Sequence, residues 1–233
     1  MLDAIRYESI RFRSLRSTWI LLIAGPVVQF LIALLWAGHT DMTTNARFSQ
    51  SFIGLFLVLV LLPCVAVAVN GFGHEYRYRT ITTTTLTLRT PGRILGAKAV
   101  VAGLAGVVSG AAVVAVTLLA EALHGGTPTD GGLVGQVLLG SVVFGLLSCL
   151  TGLGLAEVSR NGTVALVVMV VFPTIVETGL ELAHVSSSAL PFQSAERFLT
   201  STNADRWTQP LLLLAVAVVL LGASWLSLRR RDA

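Results

Sequence analysis

The stretch "NGFGHEYRYRTITTTTLTLRTPGRILGAK" (residues 70–98) is the longest polar interruption in the first half of the chain. It holds five basic residues and a string of threonines, and a long apolar run lies on either side of it. A helix needs ~20 apolar residues to cross the ~30 Å hydrocarbon core of a bilayer, and both flanking runs meet that length. The stretch therefore predicts a loop that joins two membrane spans.

The composition of the whole chain also indicates a membrane protein. Of its 233 residues, 54% are hydrophobic and 12% are charged, whereas soluble domains carry about 25% charged residues. A chain this apolar cannot hide its hydrophobic surface in one water-facing domain, so we expect an integral membrane protein. Cys64 and Cys149 lie in apolar runs without a CxxC pattern, and we expect both to be small buried side chains rather than redox or metal groups.

The apolar runs predict an all-α integral membrane protein with six transmembrane helices, which form one domain over residues 19–233. The predicted spans are Trp19–Gly38, Phe52–Phe72, Ala99–Leu123, Leu133–Ala156, Thr163–His184 and Gln209–Leu228.

The distribution of basic residues predicts the orientation of these spans. With an even number of spans both termini lie on one side. That side carries thirteen of the Arg and Lys residues, and the other side carries three. Because cytoplasmic loops are enriched in Arg and Lys, we expect both termini and the loop at 73–98 to be cytoplasmic. The four tryptophans fall at the predicted interfaces, which indole rings prefer.

Residues 1–18 precede the first span and predict a helix that lies on the inner membrane surface. At helical spacing Leu2, Ile5, Phe12 and Leu15 share an apolar arc, and basic residues lie beyond its edge. The alternative is a basic tail that only sets the orientation of the chain.

The third span carries small residues every four positions, at Ala102, Gly106 and Gly110. This spacing leaves one helix face nearly smooth, so that a neighbouring helix can approach closely. The face serves either plain packing or sliding between helices during transport.

Polar residues near the end of the fifth span form a second candidate site. Glu177, Glu181 and His184 are spaced at i, i+4 and i+7, and Pro173 precedes them by one turn. They either line the outer part of a pathway or gate, because charges in hydrocarbon usually face a cavity or a partner, or they meet headgroups and water. We expect that they meet headgroups and water. We expect Glu121 to meet the outer interface in the same way. The outer segment 177–208 is semi-apolar and is predicted to dip partway into the membrane.

Enzyme motifs are absent from the sequence. The GxxxxGK[ST] phosphate loop, the GxSG motif of one class of intramembrane protease and HExxH do not occur. We therefore expect no catalytic residues and no metal site, and any ATP hydrolysis would need another chain. From its residues alone, the loop at 73–98 either docks on a cytoplasmic partner or only anchors the topology.

The order of residues in this loop resembles that of ABC-2 type permeases, the membrane subunits of ATP-binding cassette exporters. In that family the loop carries a pattern near E-x-x-x-G-T, then a leucine, a proline, and R and K before the third span. The matching positions here are Glu75, Thr80, Leu86, Pro91, Arg93 and Lys98. Arg79 departs from the pattern, because the family usually has glycine there, and this puts the local backbone turn in doubt.

The resemblance implies that the loop at 73–98 includes a coupling helix that sits in a groove of a separate ATPase subunit. The residues expected to couple to that subunit are Glu75, Arg77, Arg79, Thr80, Leu86, Pro91 and Arg93. ATP and Mg would be bound by the partner, and no cofactor is expected on this chain.

The resemblance also implies the setting and the other partners. A second permease subunit would complete a homodimer or heterodimer in a bacterial cytoplasmic membrane, in contact with membrane lipid and not with nucleic acid. The expected activity is outward movement of an amphiphilic small molecule, peptide or lipid. The alternative is an ATP-independent membrane scaffold or immunity-type binding protein.

Overall fold

Helices make up the fold. The computed structural model describes residues 2–39, 41–53, 55–80, 90–124, 126–200 and 207–230, and no strand occurs within these ranges. The helices are α1 Leu2–Ser14, α2 Arg16–Ala37, α3 Thr44–Gln50, α4 Leu55–Arg77, α5 Pro91–Leu123, α6 Gly131–Ser159, α7 Gly162–Val171, α8 Thr178–Leu182, α9 Pro191–Thr200 and α10 Leu211–Arg229. A π-helical turn at Phe172–Glu177 joins α7 to α8, so that 162–182 forms one continuous rod.

Five helices in the described ranges are long and apolar enough to cross a membrane. They are α2, α5, α6, the rod at 162–182, and α10. Most of the predicted second span, Phe52–Phe72, falls in α4, which begins at Leu55 and has 23 residues. A total of six spans, and the side of the membrane on which the termini lie, stay predictions.

The third predicted span is part of a longer helix than expected. We predicted its start at Ala99, but α5 begins at Pro91 and has 33 residues. Pro91 occupies the first turn, where the missing N–H of proline costs no hydrogen bond. At 1.5 Å per residue the helix is ~50 Å long, which exceeds the ~30 Å hydrocarbon core.

α5 and α6 approach each other until their backbones touch. A Cβ atom added to Gly106 would lie 2.4 Å from the carbonyl oxygen of Gly145, and one added to Gly110 would lie 2.4 Å from that of Ser141. Ala102, one turn earlier on α5, is buried as well. The small-residue face of α5 therefore packs against α6.

The chain segment after α7 departs from a simple helix at Pro173. Proline cannot donate the backbone hydrogen bond that an α-helix needs, and the surrounding residues form the π-helical turn. After α8 a short 3₁₀ turn at Ser187–Ala189 leads into α9. The buried side chains of α9 include Phe192, Phe198 and Leu199, and a Cβ added to Gly140 of α6 would lie 2.9 Å from the Cα of Leu199.

The helix termini define two ends of the molecule. We call the end that contains α1, the last turn of α4 and the first turn of α5 the basic end. The last turns of α6 and α10 lie there too, since Tyr76 bonds to Glu157 and Gly92 lies near Trp225. The opposite end contains α3 and α9.

Candidate functional site at the basic end

Four charged side chains from three helices meet inside the basic end. We call Glu8, Arg11, Glu75 and Lys98 the ion cluster. The Nζ atom of Lys98 donates to Oε1 of Glu8 at 2.8 Å and to Oε1 of Glu75 at 2.7 Å. Arg11 donates to the same oxygen of Glu75 and lies 3.6 Å from Oε2 of Glu8.

The ammonium group of Lys98 is buried, and all of its hydrogen-bond donors have acceptors. Its third contact is the carbonyl oxygen of Gly71 at 2.9 Å, so the three protons of the ammonium group each have an acceptor. The ammonium also lies 5.0 Å from the centre of the Phe72 ring, within the range of a cation–π interaction. The side chains of Lys98 and Glu75 are each only 1% exposed. Two carboxylates balance two cations, which is the condition for tolerating charge away from water.

The ion cluster ties α1 to the bundle. Glu8 and Arg11 come from α1, Glu75 from the last turn of α4, and Lys98 from the third turn of α5. The predicted helix at the N-terminus is present, but its buried face is centred on Ala4 and Glu8, while Leu2 is 82% exposed. Leu2 is therefore the one member of the predicted apolar arc that faces outward. Ile5, Phe12 and Leu15 are partly buried, and Phe12 packs against the core, so the inward side of α1 carries most of the arc together with the carboxylate that pairs with Lys98.

The predicted coupling residues lie in different surroundings. Glu75 is buried in the ion cluster, so in this structure its carboxylate contacts its own chain and is not available to a partner. Arg77, Arg79, Thr80 and Arg93 are exposed. Leu86 lies outside the described residues, and Pro91 begins α5.

The predicted loop at 73–98 is shorter than expected. α4 continues to Arg77 and α5 starts at Pro91. Lys98, which we placed at the end of the loop, is a buried residue inside a helix. The ion cluster holds the two helices that flank the loop together, because Glu75 belongs to one and Lys98 to the other.

Arg79 occupies a backbone conformation that suits glycine. Its φ is 56°, and the N–H of the next residue, Thr80, donates to the carbonyl oxygen of Glu75 at 2.9 Å. An L-residue in the left-handed region places its Cβ too close to the following carbonyl, which glycine avoids. The turn therefore has the shape that the expected glycine would favour, and the arginine adopts it at a cost.

The polar residues of the fifth span do not form one face as predicted. Glu177 is fully buried, and its two carboxylate oxygens accept hydrogen bonds from the backbone N–H groups of Phe192 at 3.0 Å and Gln193 at 2.9 Å. α8 ends at Leu182, so His184 lies beyond the helix with a φ of 66°. Glu181 is on the surface, 3.7 Å from Arg197.

Glu177 thus acts as a cap for another helix. The first N–H groups of a helix lack intrahelical acceptors, and a carboxylate satisfies them well. Our expectation that this carboxylate meets headgroups and water is wrong at Glu177, because α9 covers it. No signal near Glu177 in the sequence identifies a partner fifteen residues later.

Glu121 was also expected to meet headgroups and water, but its side chain is buried. It is fully buried, and within the described ranges neither carboxylate oxygen has a hydrogen-bond partner. One turn earlier on α5, Thr117 accepts a hydrogen bond from Nε2 of Gln29 at 3.0 Å. Buried polar side chains therefore extend along the half of α5 that is farther from the basic end, and sequence reasoning missed them because the last turn of an apolar helix normally meets water.

The fold is that of a multi-pass membrane protein, with a paired ion cluster at one end and long apolar helices. A comparison with known families agrees: the profile described as "ABC-2 family transporter protein" matches residues 4–176. The chain therefore belongs to the ABC-2 transporter family, whose membrane permeases typically lack an ATPase site of their own. No curated protein gives a significant match. The match includes all four residues of the ion cluster and ends just before Glu177.

Proposed function

We propose that this chain is the membrane-spanning permease subunit of an ATP-driven exporter in a bacterial cytoplasmic membrane. A separate ATPase subunit would bind ATP and Mg, and a second permease subunit would complete the pathway. The observation that carries this proposal is the family match over residues 4–176. The apolar character of the spans favours an amphiphilic cargo, since a small ion would need more charged groups within the membrane.

The geometry of the basic end supports different roles for the exposed and the buried residues among the predicted coupling residues. The ATPase subunit would contact the exposed residues on both sides of residues 81–89. These are Arg77, Arg79 and Thr80 before that segment and Arg93 after it. Glu75 would be a positioning residue. Its bond to Lys98 fixes the ends of α4 and α5 relative to each other and to α1, so that a push on the loop would move three helices together.

The proposal is tested by co-purification from native membranes, followed by identification of the proteins that accompany the tagged chain. We expect an ATPase subunit with a phosphate-loop motif, and we expect ATP hydrolysis only in the complex. Replacement of residues 80–89 by a Gly/Ser linker of equal length should abolish co-purification.

A matched control replaces residues 126–129, at the opposite end of the molecule, by a Gly/Ser linker and should leave the complex intact. ATP hydrolysis by the isolated chain at the rate of the complex would contradict the proposal. Retention of the ATPase subunit after replacement of 80–89 would refute the docking site.

A further inference from the structure

A second feature of the basic end is a hollow of about 540 Å³ between α4 and the start of α7. We call it the basic hollow. Its position follows from a close crossing of two glycines, since a Cβ added to Gly73 would lie 3.0 Å from the Cα of Gly162. Because neither residue has a side chain, longer side chains on the adjoining turns surround an open space.

The lining of the basic hollow is cationic and polar. Arg77 comes from the last turn of α4, and Arg160 from the α6–α7 turn, where its φ is 54°. No acidic side chain is among the described residues that line the hollow, and neither guanidinium forms an ion pair with a described carboxylate. Two arginines that face one space without a counter-charge favour an anionic ligand.

His74 and the start of α7 add to this environment. Burial, and then the charges of Arg11 and Arg77, lower the pKa of His74, so the imidazole is neutral at pH 7 and can donate a hydrogen bond without adding charge. Asn161 caps α7 by accepting from the N–H groups of Thr163 and Val164. With Oδ1 so engaged, the amide N–H₂ of Asn161 and the hydroxyl of Thr163 remain as neutral donors in the lining.

An apolar surface continues from the basic hollow along α7. Thr163 lines the hollow, and Val167 and Val171 follow it one and two turns further along the same side of α7. The exposed valines of this face are Val164, Val167, Val168 and Val171. These positions recur at i, i+3, i+4 and i+7, which places them on one side of the helix. A cationic hollow above an apolar strip matches a molecule with an anionic head and hydrocarbon tails.

We propose that the basic hollow binds the phosphate group of an anionic phospholipid, with the acyl chains along the valine face of α7. Guanidinium groups bind phosphate oxygens by two parallel hydrogen bonds, and basic pockets between transmembrane helices at the cytoplasmic side accommodate lipid head groups. The volume lies in the range of small-molecule sites. The inference does not depend on ATP-driven transport.

The test measures binding of short-chain lipids to the purified chain in detergent, by the rise in thermal unfolding temperature with ligand concentration. We expect dioctanoyl-phosphatidylglycerol to bind at least about tenfold more tightly than dioctanoyl-phosphatidylcholine, because only the former leaves its phosphate charge unneutralised. The double variant R77Q/R160Q should weaken binding of phosphatidylglycerol by about tenfold or more, since charge-assisted hydrogen bonds are lost.

The matched control is R13Q/R93Q, which removes two exposed arginines at the same end but outside the basic hollow. It should bind phosphatidylglycerol like the wild type. Equal weakening in the control would overturn the proposal in favour of diffuse surface charge. Equal stabilisation by inorganic phosphate at the same concentration would overturn the lipid assignment. The single variant R77Q, at an exposed helix end, gives the same test if the double variant does not fold.

Discussion

Individual residues at the basic end have roles that differ from those suggested by their charge. Lys98 and Glu75 are buried partners within the chain, whereas Arg77 and Arg160 line a hollow with no acidic side chain among its described residues. Charge alone does not separate these roles, since all four residues lie near the ends of apolar runs. The distinction comes from which neighbouring helix presents an opposite charge.

Arg79 provides the first prediction, because its φ of 56° is unfavourable for a residue with a Cβ. Replacement by glycine removes that cost, and Arg79→Gly should raise the free energy of unfolding by about 1 kcal/mol. The matched control is Arg79→Ala, which removes the same charge but keeps the Cβ and should give no gain. Thermal unfolding in detergent measures both. If both variants raised the free energy of unfolding equally, the effect would come from the loss of charge and not from the backbone conformation.

The second prediction concerns the ion cluster. Glu75→Gln leaves Lys98 buried with only one carboxylate partner, Glu8, and should lower the free energy of unfolding by about 3 kcal/mol. Glu181→Gln is the same substitution in an exposed pair 3.7 Å apart and should cost less than about 1 kcal/mol. Denaturant unfolding of both variants checks the difference, and similar values would mean that the cluster does not stabilise the fold.

At the scale of helices, capping and close packing decide how the elements fit together. Glu177 caps α9 from a position outside that helix, and Asp130 and Asn161 cap α6 and α7 from the preceding residue. Caps that precede a helix directly are visible in a sequence as Asp or Asn before an apolar run. The cap at Glu177 is not visible, because it requires α8 and α9 to be packed first.

The third prediction follows from the cap at Glu177. Glu177→Ala removes both acceptors for the N–H groups of Phe192 and Gln193, and should cost about 1–3 kcal/mol because buried donors are left unpaired. Hydrogen exchange at these two amides should become faster. Glu181→Ala, one turn away on the surface, should leave their exchange unchanged. Unchanged exchange in Glu177→Ala would show that α9 does not depend on this cap.

The fourth prediction compares two glycines. Gly106→Ala places a Cβ against the backbone of α6, 2.4 Å from the oxygen of Gly145, and should destabilise the protein by about 1–3 kcal/mol. Gly135→Ala adds a Cβ with no atom within 4 Å, and should stabilise α6 by about 0.5–1 kcal/mol through helix propensity. Opposite signs in thermal unfolding are expected, and equal signs would contradict the packing described for α5.

At the scale of the whole molecule, orientation is the property on which the proposed function depends. Docking of an ATPase subunit requires the basic end to face the cytoplasm, as the distribution of arginines predicts. The separation of the two ends in the structure provides surface positions for a direct test.

The fifth prediction uses single cysteines in a background without Cys64 and Cys149. Arg93→Cys lies exposed at the basic end, and Asp41→Cys lies exposed near α3 at the opposite end. An impermeant maleimide should label Asp41→Cys in intact cells, and should label Arg93→Cys only after permeabilisation. The reverse pattern would exclude contact between residues 80–89 and a cytoplasmic ATPase.

The sequence predicted the long apolar helices and their ends to within a few residues, except at α4 and α5. There, Glu75 and Lys98 look like loop residues because charge in an apolar helix is normally unfavourable. Only their pairing with Glu8 and Arg11, about 60 to 90 residues away in sequence, makes burial possible. The burial of Glu121 and Glu177 was missed for a related reason. The start of α9 lies on Glu177, and α3 lies close to the chain that follows the end of α5.

The glycine contacts between α5 and α6 have a mechanical consequence. Two helices whose main chains touch at successive turns resist sliding past one another, so in the proposed permease this pair would move as a single rigid body. If the chain transports cargo as proposed, a route would open elsewhere in the molecule, and spin labels on α5 and α6 would keep a constant separation throughout the cycle.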